Sequence, residues 1–233
     1  MPLEEMKNYD DVLVHDLIKD QYIYYVVDED DNSLSHHGVL GMKWGVRKHK
    51  GPVGRQAVSI YEEASKHEPK ITSDFEETVN NVGGSVYGLE HKLKTIESIA
   101  RKVRLGKDIK DALRYTAVFS EEDFVKSYTQ FKKDMAEKGY DETTCKNYFE
   151  DYRQGKVNHK SVQCNYRTND GYTFEVQFQT NASQRAKDEK VPLYEEARNP
   201  KTSEARKEEL IIQMRTLADN VMDPPGISRI KAH

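Results

Sequence analysis

Tyr172-Thr-Phe-Glu-Val-Gln-Phe-Gln-Thr180 alternates between apolar and polar side chains along its whole length. Successive side chains of a strand point to opposite faces. Phe174, Val176 and Phe178 therefore share one face, and Thr173, Glu175, Gln177 and Gln179 share the other. Residues 160–168 upstream repeat the pattern, with Val162, Cys164 and Tyr166 set against Ser161, Gln163, Asn165 and Arg167. Asn169-Asp170-Gly171 between them is a strong hairpin-turn signal. The pair predicts an antiparallel hairpin with an apolar face for a core and a polar face carrying carboxylate, amide and hydroxyl groups. That polar face is either the solvated side of a sheet or the floor of a cleft.

Around the hairpin, strands are expected at 115–119 and 143–150. A helix is expected over 120–138, with Ser120 as N-cap, Asp123 completing a capping box and Gly139 as the stop. Phe124, Tyr128, Phe131 and Met135 form its apolar stripe. Further helices are expected from near Gln56 to before Pro69, over 73–81, over 87–104, over 182–198 with an interruption at Pro192, and over 203–222.

The chain has 233 residues, of which 36% are hydrophobic and 33% charged, with a mean hydropathy of -0.88. That length suits one domain with an appendage, or two small domains. Apolar runs such as residues 22–27 fall well short of the ~20 residues that a membrane-spanning helix needs, so no membrane partner is expected. The N-terminus opens acidic and without an apolar core, so no signal peptide is expected. Two cysteines, Cys145 and Cys164, make neither a disulfide framework nor a four-thiolate zinc site, and a reducing compartment is the default. They read as buried structural thiols. Residues 48–55 read as a basic linker, which divides the chain into an appendage, 1–55, and a domain, 56–233.

The net charge of -4 conceals a local excess. Between residues 92 and 110 lie seven lysines and arginines and two carboxylates, a net of +5. Such a segment is either a solvated face or the seat of an anionic ligand. On a helix, Lys94, Ser98, Arg101 and Lys102 would share a polar stripe opposite Ile96, Ile99 and Val103. Together with Asp111 and Glu175 they make a candidate phosphoryl-transfer set, with cations for donor phosphates and carboxylates for a metal ion and for a hydroxyl's proton.

Four segments resemble, in order, those of RelA/SpoT-type alarmone synthetases. His91-Lys-Leu-Lys-Thr-Ile-Glu-Ser-Ile-Ala-Arg-Lys-Val103 is similar to the family's Gly-Arg-x-Lys-x-x-x-Ser-Ile-x-Arg-Lys-Met segment. Asp111-Ala-Leu-Arg-Tyr-Thr-Ala-Val-Phe119 resembles its Asp-x-x-Gly-x-Arg strand. Asn158-His-Lys-Ser-Val-Gln163 resembles Gly-Tyr-Arg-Ser-Leu-His, and residues 174–180 resemble Val-Glu-Val-Gln-Ile-Arg-Thr. The resemblance spans residues 85–200. It implies an α+β fold, with a mixed, mainly antiparallel sheet of about four to five strands packed by helices.

The resemblance implies magnesium-dependent transfer of pyrophosphate from ATP to the 3′-hydroxyl of a nucleotide or of a tRNA 3′ end. Lys92 falls where the family stacks an arginine on the adenine, and Lys94, Ser98, Arg101 and Lys102 fall around the ATP phosphates. Asp111 matches the magnesium ligand. Glu175 matches the catalytic glutamate, which also helps to hold magnesium. His159, Lys160, Gln163 and Gln177 fall at acceptor-side positions. The sequence departs from the family there. His159 replaces a tyrosine that stacks on the acceptor base, Lys160 and Gln163 replace arginine and histidine, and Thr116 and Gln179 replace arginines.

Residues 35–47, Ser-His-His-Gly-Val-Leu-Gly-Met-Lys-Trp-Gly-Val-Arg, resemble a motif of bacteriophage structural proteins that is sometimes fused to effectors. The two resemblances together imply a phage-linked toxin or effector, in the bacterial cytoplasm or associated with a virion. Residues 35–47 would meet an antitoxin or a phage structural protein. Two other readings stay open at this point. One is a catalytically degenerate nucleotide-binding protein. The other is an ADP-ribosyltransferase, which the glutamate strand alone would permit.

Overall fold

A computed structural model describes residues 51–199 and 201–233. The motif at 35–47 lies outside the described residues. The elements run α1 (Pro52–Asn81), β1 (Ser85–Tyr87), a 3-10 turn (Leu89–His91), α2 (Ile96–Arg104), β2 (Arg114–Phe119), α3 (Phe124–Glu137), β3 (Tyr140–Asn147), α4 (Tyr148–Arg153), β4 (Val162–Thr168), β5 (Thr173–Thr180), α5 (Asn181–Arg198), α6 (Glu204–Asp219) and a 3-10 turn (Ile227–Arg229).

The sheet has five strands in the order β1-β2-β5-β4-β3. Only β2 and β5 pair in parallel; β1/β2, β5/β4 and β4/β3 are antiparallel. The fold is therefore α+β with a mixed, mainly antiparallel sheet, as expected. The hairpin forms as the alternation predicts, with Cys164 opposite Val176 and Gln163 opposite Gln177. Phe174, Val176 and Phe178 are fully buried. Their face packs under Phe75 of α1 and Phe131 of α3, with Phe131 meeting Phe178 edge-on at 5.1 Å and Phe75 stacking on Tyr115 at 4.7 Å.

The opposite face is covered over part of its length. Gln177 and Gln179 are as buried as the phenylalanines, because α5 lies over them. Lys187 Nζ donates to Gln177 Oε1 at 2.9 Å, and Ser183 Oγ donates to Gln179 Oε1 at 2.6 Å. Buried amides are tolerated when their bonds are made.

Several expected elements differ in extent. α1 starts at Pro52 and continues through Pro69. A proline inside a helix costs about 3 kcal/mol. Here the buried stripe of Ala57, Ala64, Ile71, Phe75 and Val79 runs past it on both sides and offsets that cost. Pro192 likewise lies within a continuous α5. The expected strand over 143–150 begins earlier, at Tyr140, and gives way to α4 at Tyr148, where Asn147 Oδ1 accepts from Glu150 N–H.

The largest correction concerns residues 87–104, which do not form one helix. Gly88, at φ +64°, ends β1. Leu93 then makes an isolated antiparallel bridge with Leu113: Lys94 N–H donates to Ala112 O at 2.9 Å, and Arg114 N–H to Lys92 O at 2.8 Å. Thr95 caps α2 by accepting from Ser98 N–H. Lys94 therefore leaves the helical stripe and enters a cleft wall.

Candidate active site

A cleft of about 460 Å³ opens beside β1, β2 and the start of α2. Its walls include Tyr87, His91, Lys92, Lys94, Ser98, Asp111, Arg114, Thr116 and Lys187. The cationic segment and the start of β2 supply one side, and α5 supplies the other.

Asp111 is the electrostatic centre. Its Oδ2 accepts from Lys94 Nζ at 2.5 Å and from Lys102 Nζ at 2.7 Å. All three side chains are largely buried. Burial alone would raise the Asp111 carboxyl, but the two ammonium groups overcome it and hold it well below the usual carboxylate range. Its other oxygen, Oδ1, is buried without a hydrogen-bond partner. Burial meanwhile lowers Lys94 to about 8, against the pull of Asp111.

Glu175 stands on β5 directly opposite Arg114 of β2. Gln177 Nε2 donates to its Oε1 at 2.8 Å, and Lys187 reaches the other end of the same amide. Burial, then the Asp111 charge, raises the Glu175 carboxyl, with Arg114 opposing. Two carboxylates thus face one field and titrate apart, one low and one raised. Lys187 is lowered to about 7, first by burial and then by Arg114.

Lys94 and Lys102 bond Asp111, Gln177 bonds Glu175, and the two carboxylates feel each other's charge, although Lys102, Glu175 and Gln177 do not themselves line the cleft. Lys92 lines the cleft and pairs with Glu68 at 3.0 Å. Ser98 lines it too, at the capped start of α2. Arg101 lies on α2 but does not line the cleft.

The acceptor-side segment is placed differently. His159 packs on Tyr148 with ring centroids 4.4 Å apart and is lowered to about 3, chiefly by burial. Lys160 Nζ is spent on the Val221 carbonyl at 2.6 Å and on Asp223 at 3.1 Å. Gln163 is buried beside Gln177 in the sheet. His159 Nε2, Ser161 Oγ and Gln163 Nε2 are buried without partners. His159 and Lys160 border a water-sized space of about 10 Å³, shared with Lys187 and Lys190.

Two cationic cleft residues, Arg114 and Lys187, escape the sequence reading. Arg114 lies two residues before Thr116 on β2 and so on the same face. A guanidinium therefore reaches the cleft although threonine stands at the position where the resemblance expects arginine. Lys187 joins the cleft with Gln184 and Asp188. Their shared face of α5 is a sequence signal that would have found it.

A family profile described as a family of unknown function (DUF7211) matches residues 27–51. No curated protein matches the chain. Among solved structures the chain is similar to the Type VI effector Tas1 in complex with its immunity protein, at 18% identity and a TM-score of 0.47, over 71% of this chain and 95% of that one. It is also similar to small alarmone synthetase 2 of Bacillus subtilis, at 14% identity and a TM-score of 0.48, over 71% and 90%. Small alarmone synthetase 1 of the same organism, bound to pppGpp, is similar at 13% identity and a TM-score of 0.46, over 75% and 90%. Among the described residues no helix is long and apolar enough to cross a membrane.

Proposed function

We propose that the chain transfers pyrophosphate from ATP to the 3′-hydroxyl of a nucleotide or of a tRNA 3′ end, as a phage-linked toxin or effector. One observation carries this reading. A cationic cleft holds Asp111 with one unpartnered oxygen, in the same field as a carboxylate, Glu175, whose proton affinity is raised.

The donor chemistry suits a hard divalent cation. Asp111 Oδ1 is a buried carboxylate oxygen without a protein partner, and magnesium prefers such oxygens together with phosphate. Asp111 and Glu175 would hold it, and when bound it would neutralise charge on the phosphates. Lys92, Lys94, Ser98, Arg114 and Lys187 would grip the polyphosphate by charge-assisted hydrogen bonds. Glu175, raised toward neutrality, is suited to accept the acceptor hydroxyl's proton. Gln177 fixes its orientation. His159, Lys160 and Gln163 stay candidates for the acceptor side, where three unpartnered polar atoms cluster.

The test is transfer of label from the terminal phosphates of ATP, with magnesium, to GDP, GTP, AMP, ADP or tRNA. Label on one acceptor, lost in Glu175→Ala, supports the reading. No labelled acceptor, or equal labelling by the variant, rejects it. A second reading, nucleotide binding without turnover, is favoured by His159, whose ring is closed in against Tyr148. Calorimetric ATP binding without transfer would select it.

A further inference from the structure

The apolar side of the sheet carries one polar cluster that pyrophosphate transfer does not use. Cys145 and Cys164 stand directly opposite each other on β3 and β4, and both are buried. The backbone N–H and C=O of Cys145 turn away from β4 and pair with His233, both at 2.9 Å. The two cysteines therefore occupy a non-hydrogen-bonded pair, the kind whose side chains come closest.

Glu142 reaches them through a bulge. It stands three residues before Cys145, which in an unbroken strand would put the two on opposite faces. The register shifts between Glu142 and Thr144, adding one unpaired residue to β3. That insertion turns Glu142 onto the cysteine face. A carboxylate oxygen and the two sulfurs then lie within 4.8 Å of one another.

His233 adds a fourth donor. Directly opposed residues of an antiparallel pair project to the same face. Its Nε2 lies 3.5 Å from Glu142 Oε1, and its Nδ1 lies 3.2 Å from the Lys231 carbonyl oxygen. Donation from Nδ1 to that carbonyl leaves the Nε2 lone pair beside the carboxylate, while the ring stands outside the 4.8 Å group of the two sulfurs and Glu142 and has to turn inward to join them. Asn147 Nδ2 holds the same tail by donating to the Ile227 and Ile230 carbonyls at 3.0 and 2.9 Å.

Two thiols, an imidazole and a carboxylate make a tetrahedral set suited to zinc. A Zn–S bond of ~2.3 Å puts ligand atoms of such a set about 3.5–3.8 Å apart, so the three donors must draw together, His233 must turn in, and the Tyr128 hydroxyl, 3.5 Å from Cys145 Sγ and 3.8 Å from Cys164 Sγ, must move off the sulfurs. The charges also balance. Zinc with two thiolates and one carboxylate carries a single negative charge, and Lys132 Nζ lies 2.7 Å from Glu142 Oε1. Tyr128 and Tyr166 each donate to Glu142 Oε2 at 2.9 Å and hold the carboxylate in place.

We propose that Glu142, Cys145, Cys164 and His233 form a structural zinc site that fastens residues 227–233 to the outer edge of the sheet. On binding, two S–H bonds break, two Zn–S bonds form and two protons leave to solvent, with no change of oxidation state.

The test uses the full chain, loaded with zinc, exhaustively dialysed and analysed for metal, and separately titrated with Co(II). One zinc per chain is expected, with a thiolate-to-cobalt charge-transfer band and the intense visible bands of tetrahedral cobalt. Cys145→Ser and Cys164→Ser should each remove most of the charge-transfer intensity. His233→Ala changes a partly exposed residue, so it should keep the wild-type circular dichroism while weakening cobalt binding about ten- to a hundredfold. A chelator should lower the Tm of the loaded wild type and not that of metal-free protein. Substoichiometric metal on folded protein, cobalt spectra without thiolate charge transfer, or wild-type affinity in His233→Ala would each overturn the proposal. So would a Cys145–Cys164 disulfide whose reduction yields no cobalt binding.

Discussion

Lys94 Nζ lies 2.5 Å from Asp111 Oδ2 across seventeen positions of the chain. Lys102 approaches the same oxygen from α2. One carboxylate therefore ties together the bridge segment at 92–94, the last turn of α2 and the entry to β2. It also keeps two buried ammonium groups from repelling each other.

Replacing that carboxylate should damage folding and chemistry together. Asp111→Asn leaves Lys94 and Lys102 buried and adjacent without their anion. Breaking a buried pair in this way costs about 3–5 kcal/mol, and a retained amide dipole should reduce the loss to about 2–4 kcal/mol in urea unfolding. The folded-state carboxyl is held low, so its contribution is complete above the ordinary carboxylate pKa and disappears as pH falls through the lowered value. The stability gap between wild type and variant should therefore narrow on acidification. Transfer activity should be lost at every pH.

Glu175→Gln should do the reverse to stability. Burial and the Asp111 charge raise the Glu175 carboxyl, so the fold prefers its neutral form. A raised acid loses stability as pH climbs from the ordinary carboxylate range through the raised value. The isosteric amide removes that penalty. The variant should therefore gain stability relative to wild type as the pH rises, with a larger advantage at pH 8 than at pH 5. Its kcat should fall by about 10²–10⁴, the usual contribution of a positioned base. A variant that unfolds earlier at pH 8 would show that the carboxylate is needed by the fold rather than by the reaction.

Lys187 should make polyphosphate binding pH-dependent. Burial and Arg114 lower it to about 7, and burial lowers Lys94 to about 8. Both are cationic below those values and lose charge above them. ATP affinity, read by calorimetry with magnesium fixed, should therefore weaken between pH 6.5 and pH 9. Lys187→Met removes one charge-assisted contact and should weaken binding about tenfold at pH 6.5. The loss should shrink at pH 9, where wild-type Lys187 is already neutral. A pH-independent loss would show that Lys187 acts by packing alone.

The hairpin was legible because two periods of alternation and an Asn-Asp-Gly turn agree locally. Glu175 and Gln177 follow from it without any knowledge of their neighbours. What alternation could not show is the cover: Gln177 and Gln179 look solvated along the strand and are buried because α5 returns across them. Pro69 reads as a helix stop, yet buried Ile71 and Phe75 beyond it carry the helix on. The basic segment misleads in a more instructive way. Helical spacing put Lys94 on a stripe with Ser98 and Lys102, whereas a backbone pairing with Ala112 pulls it out of the helix. The cluster at Asp111 still assembles, because Lys94 arrives from the bridge segment at Leu93 and Lys102 from a helix. Charge composition pointed to the cleft wall, and long-range pairing decided its geometry.

Gly84 couples the core to the rim of the cleft. A methyl group there would stand 2.4 Å from Phe119 Cε1, 2.6 Å from Phe119 Cδ1 and 3.0 Å from Val79 Cγ1. Phe119 has no room to yield: it is 1% exposed, stacked on Phe178 and edge-on to Phe124. The backbone must move instead, although Gly84 N–H is bonded to Val79 O at 2.9 Å. Overpacking of this kind costs about 1–3 kcal/mol, and Gly84→Ala should lose that much in urea unfolding. The displaced segment leads directly into β1, which carries Tyr87 on the cleft wall, while Asp111 and Glu175 lie on other strands and loops. The variant should therefore raise the KM for ATP severalfold and leave kcat within about twofold. An equal fall in kcat would mean that the shift reaches β2 and the two carboxylates.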